Sequence, residues 1–527
     1  MAVMDHKKIT LVIEIIFFSL VLFVFGGPFG SPIRGDINSI DEGQFGAWAY
    51  QMLEGKILYK DIFSTYGPFY TYPLYMLFAI FGTDPFVLRI YLVSGTFIGG
   101  IASLAILYQL RISPFIRWLV LLSVSILPIL TLRQSIGMIA ILVMYYSQQK
   151  KSFLLAFFAG VTIGATFLVS PEIGIFVYIA IIFSLIIHKV VEKTFVHYFK
   201  TFICITGGIL SVGAVFAFWA SSEGWFLAYV NVTLDVFQSF SGITIPNGQG
   251  FPSFFSILEN STKVPIFLRI LSKEGLLYIE LMFYIASVFY VVARSFMYKI
   301  SSKDSLVMYL TFFGVFLYSI LLSRHGLGHF YFSLPPLVIL LAYYVNVLAF
   351  RFVKGTTREK YVSLCLLCII VIFSIRLFMI QRITIGEKVY SFFSERYAPI
   401  DQHSYLYVSL NQRQHIYRIQ NIVNNKTTKD AYVFYLSDQP VMYLLTERLN
   451  PTRYDLPFVA NTIEKRYEIL SDLQKHKPDV ILYDKQAWDV DEISNMRRLP
   501  EVMKFISENY IFTEYNDGII VYTRKDI

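Results

Sequence analysis

Three carboxylates fall within residues 36–42: Asp36, Asp41 and Glu42, in the run Asp36-Ile37-Asn38-Ser39-Ile40-Asp41-Glu42. A carboxylate held beside a hydroxyl can take its proton as a general base, so this stretch is the first place to look for chemistry. Ser39 and Glu42 have the spacing of a capping box. Phe45, Trp48, Ala49, Met52 and Leu53 then recur at helical spacing as far as Gly55. The pattern predicts an amphipathic helix lying on a membrane surface and stopped by Gly55. Asp41 and Glu42 would then sit at its N-terminus, where the helix dipole favours their anionic forms. A plainer reading fits the same residues: Glu42 completes the capping box and Asp41 offsets the dipole.

A second cluster is cationic. Arg324, His325 and His329 gather after an apolar run. Such a group can hold a phosphate, the arginine through its planar fork, or it can snorkel to lipid headgroups as an anchor. Two histidines with no nearby carboxylate make a weak metal site. Glu172 follows Ser170-Pro171 at the edge of another apolar run, where an acid is a candidate for a site. Arg89 opens a further run and would pair with an acid such as Asp61 or Asp84. Arg133 and Gln134 could join the same cavity. Asp36 and Asp61 read mainly as fold-forming. Cys365 and Cys368 have CxxC spacing, but in an apolar helix and without a soluble βαβ context, so they read as packing residues.

The rest of the chain says what must position these groups. Of 527 residues, 55% are hydrophobic and 16% charged, with a mean hydropathy of +0.56. Soluble domains carry about 25% charged residues, so a soluble protein, a disordered chain and a disulfide scaffold are excluded. Eleven apolar stretches read as spans, at about 9–26, 86–110, 116–132, 135–147, 153–169, 173–188, 202–220, 276–293, 305–322, 330–349 and 361–380. Residues 69–82 are a briefer apolar run, read as a re-entrant or interfacial helix.

Lys and Arg cluster in alternate short loops: Lys7 and Lys8, Arg111 and Arg117, Lys150 and Lys151, Lys189 to Lys200, Arg294 to Lys303, Arg351 to Lys360. That places the N-terminus inside and the C-terminus outside. The net charge of +8 is therefore topological and not a nucleic-acid footprint. The chain reads as a polytopic α-helical membrane domain, 1–380, with outer loops 27–85 and 221–275. A small extracytoplasmic α/β domain, 381–527, follows. In that domain Ala431–Leu436 and Val480–Tyr483 read as strands, Ile463–His476 and Pro500–Asn509 as helices. Tyr510–Tyr515 and Ile519–Thr523 read as a hairpin turned by Asn516-Asp517-Gly518.

One ordered set of motifs resembles a known superfamily. Asp41-Glu42, Gly55, Tyr59-Lys60-Asp61-Ile62-Phe63, Gly67-Pro68-Phe69-Tyr70, Phe81-Gly82 and Leu88-Arg89 follow one another over residues 36–110. In order and spacing they resemble the GT-C glycosyltransferases, in the group of the protein O-mannosyltransferases and the lipid A aminoarabinose transferase. The segment from Arg324-His325 through His329 to Pro335-Pro336 is similar to that group's basic and aromatic stretch before a late span. The resemblance implies a GT-C fold and a hexosyl- or pentosyltransferase that takes its sugar from a polyprenyl-phosphate carrier. The acceptor would be a hydroxyl on a glycan, lipid or protein, attacking with inversion in one displacement.

It implies Asp41 as the base, Glu42 as its assistant, and Arg324, His325 and His329 on the donor phosphate. Glu172, Arg89, Asp61 and Tyr66 would be further cavity residues. No cofactor is required by this reading, no metal ligands are assigned, and a divalent cation stays open. The chain departs from the pattern at Tyr66-Gly67-Pro68, where the aminoarabinose branch has Lys-Pro-Pro, so a phosphate-binding lysine is missing there. The location implied is a cell membrane, with a bacterial inner membrane favoured. Two rivals remain: a transporter or flippase of lipid-linked sugars, and a non-catalytic assembly subunit with a GT-C-like body.

Overall fold

The computed structural model describes residues 6–127, 129–192, 195–240, 253, 272–323, 331–380, 382–394, 396–490 and 493–525. Each of the expected apolar runs coincides with a helix. Seven are long and apolar enough to cross a membrane: Lys8–Phe29, Pro85–Gln109, Pro171–Glu192, Val196–Ser222, Glu274–Met297, Ser302–Leu322 and Leu334–Lys354. Pro114–Ile126 and Phe153–Val169 are shorter apolar helices. Leu132–Lys150 and Thr357–Ile380 are helical as well, and Pro68–Phe81 covers the brief run at 69–82. The chain is thus a helical membrane protein with a small α/β part at its C-terminal end.

Local chemistry sets several helix starts. Proline stands in the first turn of Pro114–Ile126, Pro68–Phe81 and Leu334–Lys354, where its missing N–H costs nothing. The Ser152 hydroxyl accepts from Leu155 N at 3.3 Å and caps Phe153–Val169.

The chain packs as two compact units. One holds residues 1–31, 93–216 and 249–390. Its helices approach closely where glycine allows it: a Cβ on Gly160 would lie 2.0 Å from the Ile205 carbonyl oxygen. Glu14, fully buried, meets Arg117 at 2.8 Å and accepts from the Tyr108 hydroxyl at 2.7 Å.

The other unit holds residues 32–92, 217–248 and 391–527. The expected division at 380/381 does not show this grouping, in which residues of the first outer loop, 27–85 (loop one), pack together with the C-terminal part. Strands β1 (Tyr397–Pro399) and β2 (Tyr407–Ser409) form an antiparallel pair. Strands β3 (Val433–Tyr435), β4 (Val480–Asp484), β5 (Tyr510–Asn516) and β6 (Ile519–Arg524) form a sheet in the order β3-β4-β6-β5. β3 and β4 are parallel and the other pairs antiparallel. The β5–β6 turn has Asp517 at φ 46° and Gly518 at φ 92°, the positive values expected of a tight hairpin.

Helices Ile463–His476 and Pro500–Asn509 lie where the sequence places them. Helix Leu410–Lys426 covers the sheet. Its Ile416, Ile419, Ile422 and Val423 share one core with Val433, Tyr435, Val480, Leu482, Ile519 and Val521, and with Ile37 and Ala47 from loop one.

Candidate active site

The helix after the acid cluster runs Gly43–Leu53, and Gly43 through Met52 are all buried. This corrects the expectation of a helix lying on a membrane surface, which would leave one face exposed. The reason is the stripe Gly43, Ala47, Gln51, spaced four apart. A Cβ on Gly43 would lie 2.6 Å from Val441 N, so the absent side chain admits the helix Val441–Thr446 against this face. Ala47 joins the core under the sheet. Gln51 Nε2 donates to Asp455 Oδ1 at 2.7 Å, and Asn450 Nδ2 donates to the same oxygen at 2.6 Å. Burial pushes the Asp455 carboxyl up, and these two donors hold it down. Gly55 ends the helix as expected, at φ 89°.

The turn that opens the helix is organised by Asn38 and not by Ser39. Asn38 Oδ1 accepts from Ile40 N at 3.0 Å and from Asp41 N at 2.8 Å. Asn38 Nδ2 donates to Asp41 Oδ2 at 3.0 Å, and Asn38 N to Glu42 Oε1 at 3.1 Å. Asn38 thus caps this turn in place of Ser39, while the helix proper starts at Gly43 with Glu42 at its N-cap and no side-chain cap bond.

Glu42 is 2% exposed and bound to Arg89, itself fully buried. Arg89 Nε lies 2.5 Å from Glu42 Oε2 and Nη2 lies 3.0 Å from Oε1, a bidentate pair. Nη2 also donates to the Asp36 carbonyl at 3.0 Å. Burial raises the Glu42 carboxyl above its usual range, while Arg89 and the Asn38 N–H pull it back. Arg89 therefore pairs with an acid of the first outer loop, as expected, but with Glu42 and not with Asp61 or Asp84.

Asp61 acts within the loop, and Asp84 also ties it to the C-terminal part. Asp61 Oδ2 accepts from Ile57 N at 2.9 Å. Asp84 Oδ1 accepts from Phe86 N at 2.8 Å and from the Ser404 hydroxyl at 2.6 Å. Asp36 is exposed and accepts from Ser409 N at 2.7 Å and Ser409 Oγ at 2.9 Å. Asp41 is the exposed acid at the turn that opens the helix, with Asn38 as a side-chain partner.

Tyr66 belongs to an aromatic group with Phe45, Trp48 and Tyr70, at centroid distances of 5.1, 6.0 and 5.4 Å. Its carbonyl accepts from the Tyr59 hydroxyl at 2.7 Å. Tyr59 is buried at φ 69°, a strained value for a residue with a side chain, and it packs on Trp225 and Tyr229.

In the other unit, Arg133 and Glu172 come together at 3.4 Å. The Ser170 hydroxyl donates to Glu172 Oε1 at 2.6 Å, and the Arg133 guanidinium lies 4.6 Å from the Phe332 ring centre. Gln134 is bound up in a capping box with Thr131 at the start of Leu132–Lys150. Arg324, His325 and His329 lie outside the described residues. Among the described residues no group of three or more His, Cys, Asp or Glu side chains is placed to hold a metal ion.

Among the residues that bear on loop one and escape the sequence reading are Ser409 and Gln412. Gln412 Oε1 accepts from Ile37 N and its Nε2 donates to Ile37 O, each at 2.9 Å. The Ser409-x-x-Gln412 spacing signals a helix start, and Ser409 Oγ does accept from Gln412 N at 3.2 Å. Nothing local signals the partner in loop one.

Among solved structures, the chain is similar to ArnT from Cupriavidus metallidurans in the apo state, with a TM-score of 0.49, 11% identity and 98% of each chain covered. It is also similar to ArnT from Cupriavidus metallidurans bound to undecaprenyl phosphate, with a TM-score of 0.45, 11% identity, and 99% of this chain and 98% of that chain covered. No family model matches the chain, and no curated protein matches it.

Proposed function

We propose that the protein is an integral-membrane glycosyltransferase that moves a sugar from a polyprenyl-phosphate carrier to an acceptor hydroxyl. The ordered motifs of residues 36–110 support the class. The observation that carries the assignment of roles is the division of labour in one turn: Glu42 is buried against Arg89, and Asp41 beside it is exposed. In this reading Asp41 accepts the proton of the acceptor hydroxyl. The hydroxyl oxygen bonds to the anomeric carbon from the face opposite the phosphate. The bond from that carbon to the phosphate oxygen breaks, the phosphate leaves with the electron pair, and the configuration inverts.

Glu42 assists by holding Arg89, and with it the carbonyl of Asp36, in place. Arg324, His325 and His329 carry the positive charge that a departing phosphate requires. Tyr66 is a further candidate group beside Asp41 in the same unit. The donor is a hexosyl or pentosyl polyprenyl phosphate and the acceptor a glycan, lipid or protein. The location is a bacterial inner membrane, with 381–527 on its outer side.

The test uses purified full-length protein in detergent, a panel of polyprenyl-phosphate sugars and membrane extract as acceptor source. Wild type is expected to consume one donor, and a normally folded Asp41→Asn protein is expected not to. Consumption of no donor, or equal consumption by the mutant, sinks the reading and returns the flippase and assembly-subunit rivals to the front.

A further inference from the structure

The segment that bears Asp41 is gripped by one helix of the C-terminal part. Ser409 binds the Asp36 carboxylate through both N and Oγ, at 2.7 and 2.9 Å. Ser409 Oγ also accepts from Gln412 N, and Gln412 brackets Ile37 by accepting from its N–H and donating to its C=O. Asp36, Ser409, Gln412 and Ile37 thus close a ring of hydrogen bonds. The Ile37 side chain goes into the core that Ile416, Ile419, Ile422 and Val423 of the same helix form. Beyond Gln412 the helix is held by that core, so the ring is attached to a rigid support.

Downstream, Glu42 and Arg89 fix the other end of the turn. Asp41 lies between two anchored points, four residues from Ile37 and one from Glu42. The Asp41 carboxylate is exposed and takes the Asn38 amide of the same turn at 3.0 Å, so it moves with that turn. Its position is set by the anchors on either side.

We propose that Gln412 is a positioning residue for Asp41, holding Ile37 at both its backbone groups so that the Asp41 carboxylate lies where the acceptor hydroxyl is presented. The proposal rests on the reading of Asp41 as the base. It makes helix Leu410–Lys426 of the C-terminal part the splint for the reactive turn.

The test compares Gln412→Ala with Gln420→Ala in the full-length protein. Gln420 lies on the same helix and donates to the Leu445 carbonyl at 2.7 Å, not to residues 36–42. Donor turnover, donor KM, thermal unfolding and amide exchange of residues 36–41 are read for each. Gln412→Ala is expected to lower kcat by ~10–100-fold, as sub-ångström misplacement of a reacting group does, with donor KM within about twofold. It is expected to speed exchange at 36–41. Gln420→Ala is expected to leave kcat and that exchange unchanged.

Gln412→Glu keeps the acceptor for Ile37 N–H and loses the donor to Ile37 C=O. It is expected to fall between wild type and Gln412→Ala, and it stands in if the alanine variant fails to fold. Unchanged exchange at 36–41, or a loss of activity that only tracks the folded fraction in both alanine variants, overturns the proposal. A wild type that consumes no donor overturns the transferase reading itself, and the proposal with it.

Discussion

Glu42 and Glu14 are both buried and both paired with an arginine, Glu42 with Arg89 at 2.5 Å and Glu14 with Arg117 at 2.8 Å. Their surroundings differ. Glu14 lies on the first helix, and its second oxygen takes the Tyr108 hydroxyl from a neighbouring helix. The Arg117 guanidinium lies 4.1 Å from the Tyr108 ring centre, so the group closes on itself. Glu42 opens onto a turn: it binds the Asn38 N–H, its arginine reaches the Asp36 carbonyl, and an exposed acid is its chain neighbour. A buried ion pair is therefore no mark of reactivity. What distinguishes the second one is the exposed carboxylate it helps to fix.

The comparison can be broken or sharpened by mutation. The largest effect expected is that of Asp41→Asn on donor consumption, a fall of about 10²–10⁴-fold, the usual contribution of a general base. Because Asp41 is exposed, unfolding in denaturant should shift by no more than ~0.5 kcal/mol. Next come Arg89→Ala and Arg117→Ala. Each strands a buried carboxylate and should cost about 3–5 kcal/mol of stability, read by unfolding in detergent. Turnover per folded molecule separates them: it should collapse in Arg89→Ala and survive in Arg117→Ala. Equal turnover in the two would erase the distinction drawn above.

A third buried acid shows what burial does with no such pair. Asp438 is 4% exposed and accepts from Phe458 N at 3.2 Å, and burial lifts its carboxyl to about 7. Its unfolded value is ordinary, near 3.8. Between these the folded state holds a proton that the unfolded state has released, so its contribution to stability is complete below pH ~4 and is lost as the pH rises towards 7. The slope is at most about 1.4 kcal/mol per pH unit, and Asp438→Asn should remove it from unfolding curves taken across that range. The smallest effect belongs to the cap. Asn38→Ala should cost about 1 kcal/mol, and Ser39→Ala, if Asn38 is the cap, no more than a few tenths.

The elements were largely legible in the sequence, because their causes are local. Apolar runs, prolines at helix starts, Gly55 at a helix end and Asp517-Gly518 in a hairpin each act within a few residues. The partners were not legible. Arg89 meets an acid of the first outer loop, as its place in the sequence implies, but Glu42 and not Asp61 or Asp84, since a side chain's partner depends on which segments pack together. The helix Gly43–Leu53 has an amphipathic pattern, yet its polar face is covered by protein: Gln51 meets Asp455, 404 residues away in the chain. The Asn38 cap was readable in principle, and the competing Ser39–Glu42 spacing obscured it. Ser409 and Gln412 carried only a helix-start signal, with no trace of Asp36 and Ile37.

The grip of Ser409 and Gln412 on Asp36 and Ile37 has a consequence for biogenesis. These contacts join residues 373 to 375 positions apart. On a chain emerging from the ribosome, Asp41 is made long before Gln412. The turn therefore has Asn38 and the Glu42–Arg89 pair from early on, but lacks its second anchor while every later helix is made. Its final shape is reached only when the C-terminal part has folded. In the proposed enzyme, activity would then switch on at the end of synthesis, and a partly made chain would not draw on the pool of carrier lipid.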